Sequence, residues 1–329
     1  MIRRISYLVA VAASLSFLAP PPPAHADAVR CQRTISLATA AFAKTKSRIV
    51  NACKRKAVRT GDPASPVDCP LPPQEDRINA AEQRMRKRIA RDCGGANKVC
   101  NAADVNADAD VPLADIGWDI PTCPDLSGQG CVNPIADCND IATCLLCVGH
   151  EAANQPIDLA YDLMTATEFG TRSDVNLCQV AVGNETGIRL RRSFSHLAPC
   201  WNRVFLGKPG FTAPPGCPAT NAPTVERLAD AKWKMIDHMC KACGAGGDVD
   251  RDGACDTPGL AISPAAIGFE PDCPDKTVPG SPTSCARVVT SLDDMIACID
   301  CLAEFEVACS TDLAVPTQVI YPGECTLVP

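Results

Sequence analysis

Two cysteines 22 positions apart, Cys31 and Cys53, recur at the same spacing as Cys178 and Cys200, and glutamine follows the leading one each time, Gln32 and Gln179. Cys240 stands 147 residues after Cys93, the same offset that relates Cys178 to Cys31, and Cys217 stands 148 after Cys69. A register kept over this distance describes one unit made twice, so whatever the unit folds into is cross-linked at equivalent points. The chain holds 22 cysteines, an even number and too many for a reducing compartment, which makes a disulfide framework the default reading. Aromatic residues are only 4% of the chain, so large apolar side chains cannot supply all the stability. Bridges compensate by restricting the unfolded state, a closed loop the size of Cys53 to Cys69 contributing about 3 kcal/mol in the chain-entropy view.

The chain begins with Arg3 and Arg4, an apolar run from Ile5 to Ala19, four prolines from Pro20 to Pro23, and Ala24-His25-Ala26. That order is expected of a secretory leader cleaved near Ala26, leaving repeat 1 over residues 27–170 and repeat 2 over 171–329. A lipoprotein would need a cysteine directly after the small-residue site, and Cys31 lies too far on. No later stretch approaches the roughly 20 apolar residues of a membrane span, so the expected product is secreted, periplasmic or extracellular, with no membrane span.

Helical periodicity fills in the unit. Cys31, Ile35, Ala38, Phe42, Thr45, Ile49 and Cys53 advance in steps of three and four, which puts both cysteines on the apolar face of one helix. After a Pro-rich loop, Ile78, Ala81, Met85 and Ile89 predict a second helix from about Glu75 to Cys93, stopped by Gly94-Gly95. An antiparallel hairpin would set Cys31 beside Cys93 and let Cys53 reach Cys69. In the copy, Gly183 and Gly187 weaken the first helix before Leu190, Phe194, Leu197 and Trp201 resume its stripe. The second starts near Pro223-Thr224 with Val225, Ala229, Trp233, Ile236 and Cys240 inward, and Cys178 is expected to bond Cys240. Each unit then has a Pro-rich segment with two cysteines and a third helix carrying Cys144/Cys147 or Cys298/Cys301, opened by Asn133-Pro134 in one and by a Ser291 to Asp294 capping box in the other. The expected fold class is mainly α: a tandem duplication of a disulfide-stapled helical hairpin plus a third helix and Cys/Pro-rich irregular segments.

Charge follows the same division. Residues 30–98 carry 16 basic and 6 acidic side chains, residues 99–177 one and 13, residues 178–241 nine and four, and residues 242–329 three and 14. Each unit is a basic hairpin joined to an acidic half, and the simplest use of that is docking of one on the other. With a net charge of −7, the arginine run Arg84, Arg86, Lys87, Arg88 and Arg91 reads as a solvated helix face, and a nucleic-acid partner is not expected.

The most specific local pattern is Asp248-Val249-Asp250-Arg251-Asp252-Gly253-Ala254-Cys255-Asp256. Oxygen ligands at alternate positions, with glycine sixth to allow the sharp turn, are what a hard cation the size of Ca2+ requires of a short loop. The stretch resembles the calcium loops of EF-hand, dockerin and thrombospondin type 3 modules. That resemblance implies carboxylate ligands from Asp248, Asp250 and Asp252, a backbone carbonyl from Ala254, and a direct or water-mediated ligand from Asp256. Gly259 stands at position twelve, so another acid or water completes the shell. The first unit offers Asp104, Asn106, Asp108, Asp110 and Asp115, with Ala109 where glycine belongs.

Other chemistry is poorly signalled. The pairs Cys144/Cys147, Cys240/Cys243 and Cys298/Cys301 lie in or at the ends of helices, with no preceding strand, and acids nearby disfavour a thiolate. Cys147 with His150, and His238 with Cys240 and Cys243, have zinc-like spacing, but neither histidine recurs in the other copy, where Glu304 and Arg91 stand. No catalytic residue is assigned. By its Cys-Gln helix, its Cys-Gly-Gly stop and its acidic Cys-rich tail, the chain resembles uncharacterised secreted bacterial Cys-rich helical repeat proteins. The resemblance implies export and fold and lends no activity. The sequence thus reads as an exported, disulfide-rich, non-enzymatic structural or binding protein, calcium-stabilised, whose partner is a cell-surface or extracellular protein or a second copy of itself. The rival reading is an exported thiol-redox or hydrolytic enzyme.

Overall fold

The computed structural model describes residues 27–325 apart from 127, 129, 213–215, 220 and 283; the expected leader, residues 1–26, lies outside the described residues. Helix α1 spans Ala28–Thr60, opened by Asp27, whose side chain accepts the Val29 N–H, and closed by Gly61 at φ +71°. Of its predicted face all but Thr45 are buried. Helix α2 spans Pro72–Cys93, starting a little before Glu75 because two prolines fill its first turn, where their missing N–H groups cost nothing. The predicted Cys31–Cys93 and Cys53–Cys69 bridges form, with Cα–Cα distances of 4.8 and 5.8 Å, and close the antiparallel hairpin.

The second unit repeats this with α4 (Asp174–Phe205) and α5 (Ala222–Ala242). Two expectations fail there. The buried face of α5 is Thr224, Ala231, Met235, Ile236, Met239 and Cys240, while Val225 and Ala229 face solvent, because the stripe that packs inward runs through Ala231, Met235 and Met239, about one residue round the helix from the assumed one. Cys178 bonds Cys243, not Cys240. Helix α5 runs to Ala242 with Cys243 at its cap, so Cys243 takes the place Cys93 holds at the end of α2. Cys240, nearly a turn earlier, bonds Cys255 in the acidic loop.

The third helices are α3 (Cys138–Tyr161) and α7 (Leu292–Leu313). Helix α7 has the predicted capping box of Ser291 and Asp294. Helix α3 does not start at Asn133-Pro134: its N-cap is Asp137, accepting from the N–H groups of Asn139 and Asp140. Asn133 instead accepts the Cys123 N–H at 2.8 Å in an extended pairing of Thr122 with Pro134. That segment is held along α3 by the Cys123–Cys144 and Cys131–Cys147 bridges, which leaves it no freedom to wind. The second unit has the same device as a short antiparallel ribbon, β1 (Asp272–Cys273) with β2 (Arg287–Val288), tied to α7 by Cys273–Cys298 and Cys285–Cys301. A one-turn helix, α6 (Pro264–Ile267), precedes it.

Basic hairpin and acidic half do dock within each unit: Lys54 on α1 pairs with Asp158 and Asp162 around the end of α3, and Arg189 on α4 and Lys232 on α5 both pair with Asp300 on α7. The units are then packed together through α1 on α4 and α3 on α7, with one large hydrophobic cluster holding side chains from both. Gly183 and Gly187 explain how close the approach is: a Cβ on Gly183 would lie 2.0 Å from the Tyr161 ring, and one on Gly187 2.2 Å from the Asn51 amide. Among the described residues no helix is long and apolar enough to cross a membrane.

Candidate functional site

The second acidic loop is built on the end of α5. Cys240–Cys255 ties it to the helix, the Trp233 indole donates to the Asp248 carbonyl at 2.7 Å, and the Arg251 guanidinium lies over the Trp233 ring, 3.8 Å from its centre. Gly253, at the sixth position, takes φ +91°, as the sharp turn needs. One oxygen each from Asp248, Asp250 and Asp252 come within 4.8 Å of one another. Asp250 and Asp252 are exposed, but Asp248 is sealed from solvent by the loop, near the molecular surface and not deep in the core. Among the described residues neither of its carboxylate oxygens has a partner in good hydrogen-bond geometry, although the N–H groups of Gly253 and Asp252 point at it and pull its carboxyl down somewhat. Burial, and then the charges of Asp252 and Asp250, push its carboxyl above the usual range. A buried carboxylate so weakly supplied with donors favours neutralisation by a proton or by a cation. Two further carboxylates converge on it, an all-oxygen set of the kind a hard cation takes. Of the other expected ligands, Asp256 accepts the Val249 N–H at 3.3 Å, and Ala254 gives its N–H to Asp252 at 2.9 Å.

The first loop is held differently. Cys100–Cys138 pins it to the start of α3, Asp104 accepts from the Asn97 and Asn101 amides, and Asp110 accepts the Asn101 N–H. Ala109 has φ −55°, and the left-handed residue is Asn106 at +59°. Asp108 lies in the short turn of Asn106–Asp108 and Asp115 in that of Leu113–Ile116. These acids do not gather into a group like that of Asp248.

All 22 cysteines are paired, each within its own half of the chain, and no Cys-x-x-Cys pair closes on itself. Cys147 is therefore unavailable to His150, and Cys240 and Cys243 to His238, as zinc ligands.

His150 belongs to a constellation that periodicity and spacing did not reveal. It lies on α3 between Lys46 of α1, whose ammonium contacts Nδ1, and Glu82 of α2, 2.8 Å from Nε2. The three line an open-mouthed cavity of about 500 Å³ whose walls also include Val50, Ile78 and the loop around Cys69. Lys46 is buried, and desolvation lowers its amine to about 8. The only signal in the sequence was a lysine one turn from Phe42 on an otherwise apolar face.

No family profile, no curated protein and no solved structure matches the chain.

Proposed function

We propose that the protein acts after export as a disulfide-stapled, non-enzymatic structural or binding protein whose second acidic loop is ordered by a calcium ion. The observation that carries the ion is Asp248, a solvent-sealed carboxylate with neither oxygen in good hydrogen-bond geometry and two more carboxylates converging on it. Eleven bridges and no free cysteine fit an oxidising compartment, and no Cys-x-x-Cys pair closes on itself as the reactive pair of a thiol-redox enzyme does. The leader cleaved near Ala26, membership among the secreted bacterial Cys-rich helical repeat proteins, and a cell-surface or extracellular protein partner belong to the same reading.

The test is thermal melting of the purified oxidised protein with calcium, magnesium or chelator. Calcium at ten times its dissociation constant stabilises by about 1.4 kcal/mol. Magnesium, which gives up its waters reluctantly, should do less. Asp250→Ala and Asp248→Asn should abolish the calcium shift, and Asp104→Ala should leave most of it. Identical melts in chelator and in millimolar calcium, with no heat on titration, would remove the ion.

A further inference from the structure

Buried lysines occur twice on α1, and only one is neutralised. Lys54 pairs with Asp158 at 2.8 Å and with Asp162. Lys46, two turns earlier and equally removed from solvent, has the imidazole of His150 as its contact, and no carboxylate among the described residues pairs with it. The charges of Glu151 and Asp158 on α3 and of Glu82 on α2 reach it only from farther away. An ammonium can only donate, so His150 accepts at Nδ1, carries its proton on Nε2 and donates to Glu82. Three helices thus each contribute one member of a relay in which an amine faces a base and the base is oriented by a carboxylate. That is the arrangement by which a weak nucleophile is activated. Phe42 stacks edge-on to the imidazole with ring centres 5.0 Å apart, fixing its plane. The relay ends on a cavity of about 500 Å³, a volume that takes a small organic molecule.

We propose that Lys46 is the nucleophile of a covalent capture site, condensing reversibly with the carbonyl carbon of a small uncharged aldehyde or ketone held in this cavity. The unprotonated Nζ adds to the carbonyl carbon, and one of its N–H protons passes through Nδ1 of His150 to the carbonyl oxygen, giving the carbinolamine. Nδ1 then takes the second N–H proton and delivers it to the hydroxyl as the C–O bond breaks, so that both protons leave as water. Amine plus carbonyl gives imine plus water, with no oxidant or reductant. Burial supplies the unprotonated amine by lowering Lys46 to about 8, and burial together with the nearby Lys46 charge holds His150 below its ordinary value, as a base in this role requires. Glu75, Asp158 and Asp162 also line the cavity with Lys54, and since that one lysine serves both aspartates the lining stays net negative with Glu82, so an anionic carbonyl compound such as a keto acid is repelled where an uncharged one is not. The site is single: at the repeat offsets of 147 and 154, Ser193, Ala229 and Glu304 stand where the first unit has Lys46, Glu82 and His150. The capture site does not depend on the calcium loop, which lies in the other unit.

The experiment uses the intact oxidised protein, benzaldehyde and cyanoborohydride, with labelled lysines located by peptide mapping. At pH 7.5 an amine near 8 is about a quarter unprotonated, against about 0.1% for an ordinary lysine. Lys46 should therefore be benzylated at least about tenfold faster than the exposed Lys56 and Lys87 even after its lower basicity and restricted access are allowed for. Its rate should level off above about pH 8. His150→Gln should slow Lys46 labelling at least about tenfold without changing that of Lys56, and pyruvate should label Lys46 more slowly than benzaldehyde. Lys46→Met removes a buried charge, so it should fold with a raised melting temperature at pH 7 and lose only the fast label. Labelling of Lys46 no faster than Lys56, or an unchanged rate in His150→Gln, would overturn the proposal.

Discussion

Asp158 and Asp312 occupy matching places in α3 and α7, 154 residues apart, but Lys54, which pairs with Asp158, has Trp201 as its counterpart 147 residues on. Asp312 has thus kept the carboxylate and lost the cation, and burial alone pushes it up to about 7. The folded state binds a proton there that the unfolded chain releases near 3.8, so stability falls as pH rises from about 4 through 7. Asp312→Asn should stabilise the protein on the order of 2 kcal/mol at pH 8 and leave it unchanged at pH 4; denaturant melts at the two pH values check this, and an equal effect at both would refute it. The glycines of α4 show what single residues conceal in the sequence. Helix propensity treats Gly183 and Gly187 as weaknesses because it sees only the local chain, whereas their partners, Tyr161 and Asn51, come from the other unit. Lys46 and Glu82 stayed hidden for the same reason, being 36 positions apart on two helices, with the histidine on a third.

At the scale of elements, the Cys-Gln pair that opens each unit has a structural cause. Gln32 donates to the Asp115 carbonyl at 3.2 Å, and Gln179 donates to the carbonyls of Thr165 and Ile267, both at 3.2 Å. Each glutamine thus holds the turn that follows the acidic loop, where Ile116-Gly117-Trp118 and Ile267-Gly268-Phe269 repeat one another, both glycines having positive φ. Gln179 is fully buried and Gln32 is not, so Gln179→Ala should cost about 2 kcal/mol and Gln32→Ala less than about 0.5 kcal/mol, both read from urea midpoints. Equal losses would mean that these bonds do not set the turn. The hairpins and the two bridges that close the first of them, Cys31–Cys93 and Cys53–Cys69, were legible because apolar period and cysteine position agree there; the other three bridges of that unit were not. In the second unit two cysteines, Cys240 and Cys243, compete for one partner within a single helical turn, and spacing cannot choose between them. Likewise, the pattern of the second loop was visible in its residue types. The sealing of Asp248 was not, since it depends on Trp233 and the Cys240–Cys255 tether.

For the molecule as a whole, bridges and core divide the chain differently. Every bridge closes within residues 27–170 or 171–329, yet the main hydrophobic cluster includes Ile35, Phe42 and Tyr161 together with Val182, Leu190 and Phe305. Residues 27–170 expressed alone in an oxidising compartment should close their five bridges and still expose the faces of α1 and α3 that meet α4 and α7. This half should melt well below the full chain and self-associate, as shown by light scattering and non-reducing peptide maps. A monomeric half as stable as the whole would show that the shared core contributes nothing.

The span of α1 has a consequence for how the framework is assembled. During synthesis Cys31 emerges first and Cys53 next, and an oxidant acting on nearest neighbours would couple those two. Once α1 is wound, 22 residues of helix separate them by about 33 Å, far beyond the few ångströms between sulfurs that a disulfide spans. The helix is therefore a spacer that keeps the first thiol waiting past two nearer candidates until the end of α2 arrives. Helix α4 does the same for Cys178, which waits for Cys243. Most of the other bridges join cysteines only 15 to 25 positions apart and can close as soon as both have appeared. Correct wiring in this protein is thus a question of winding two helices before oxidation reaches them, which makes helix formation the proofreader of its covalent structure.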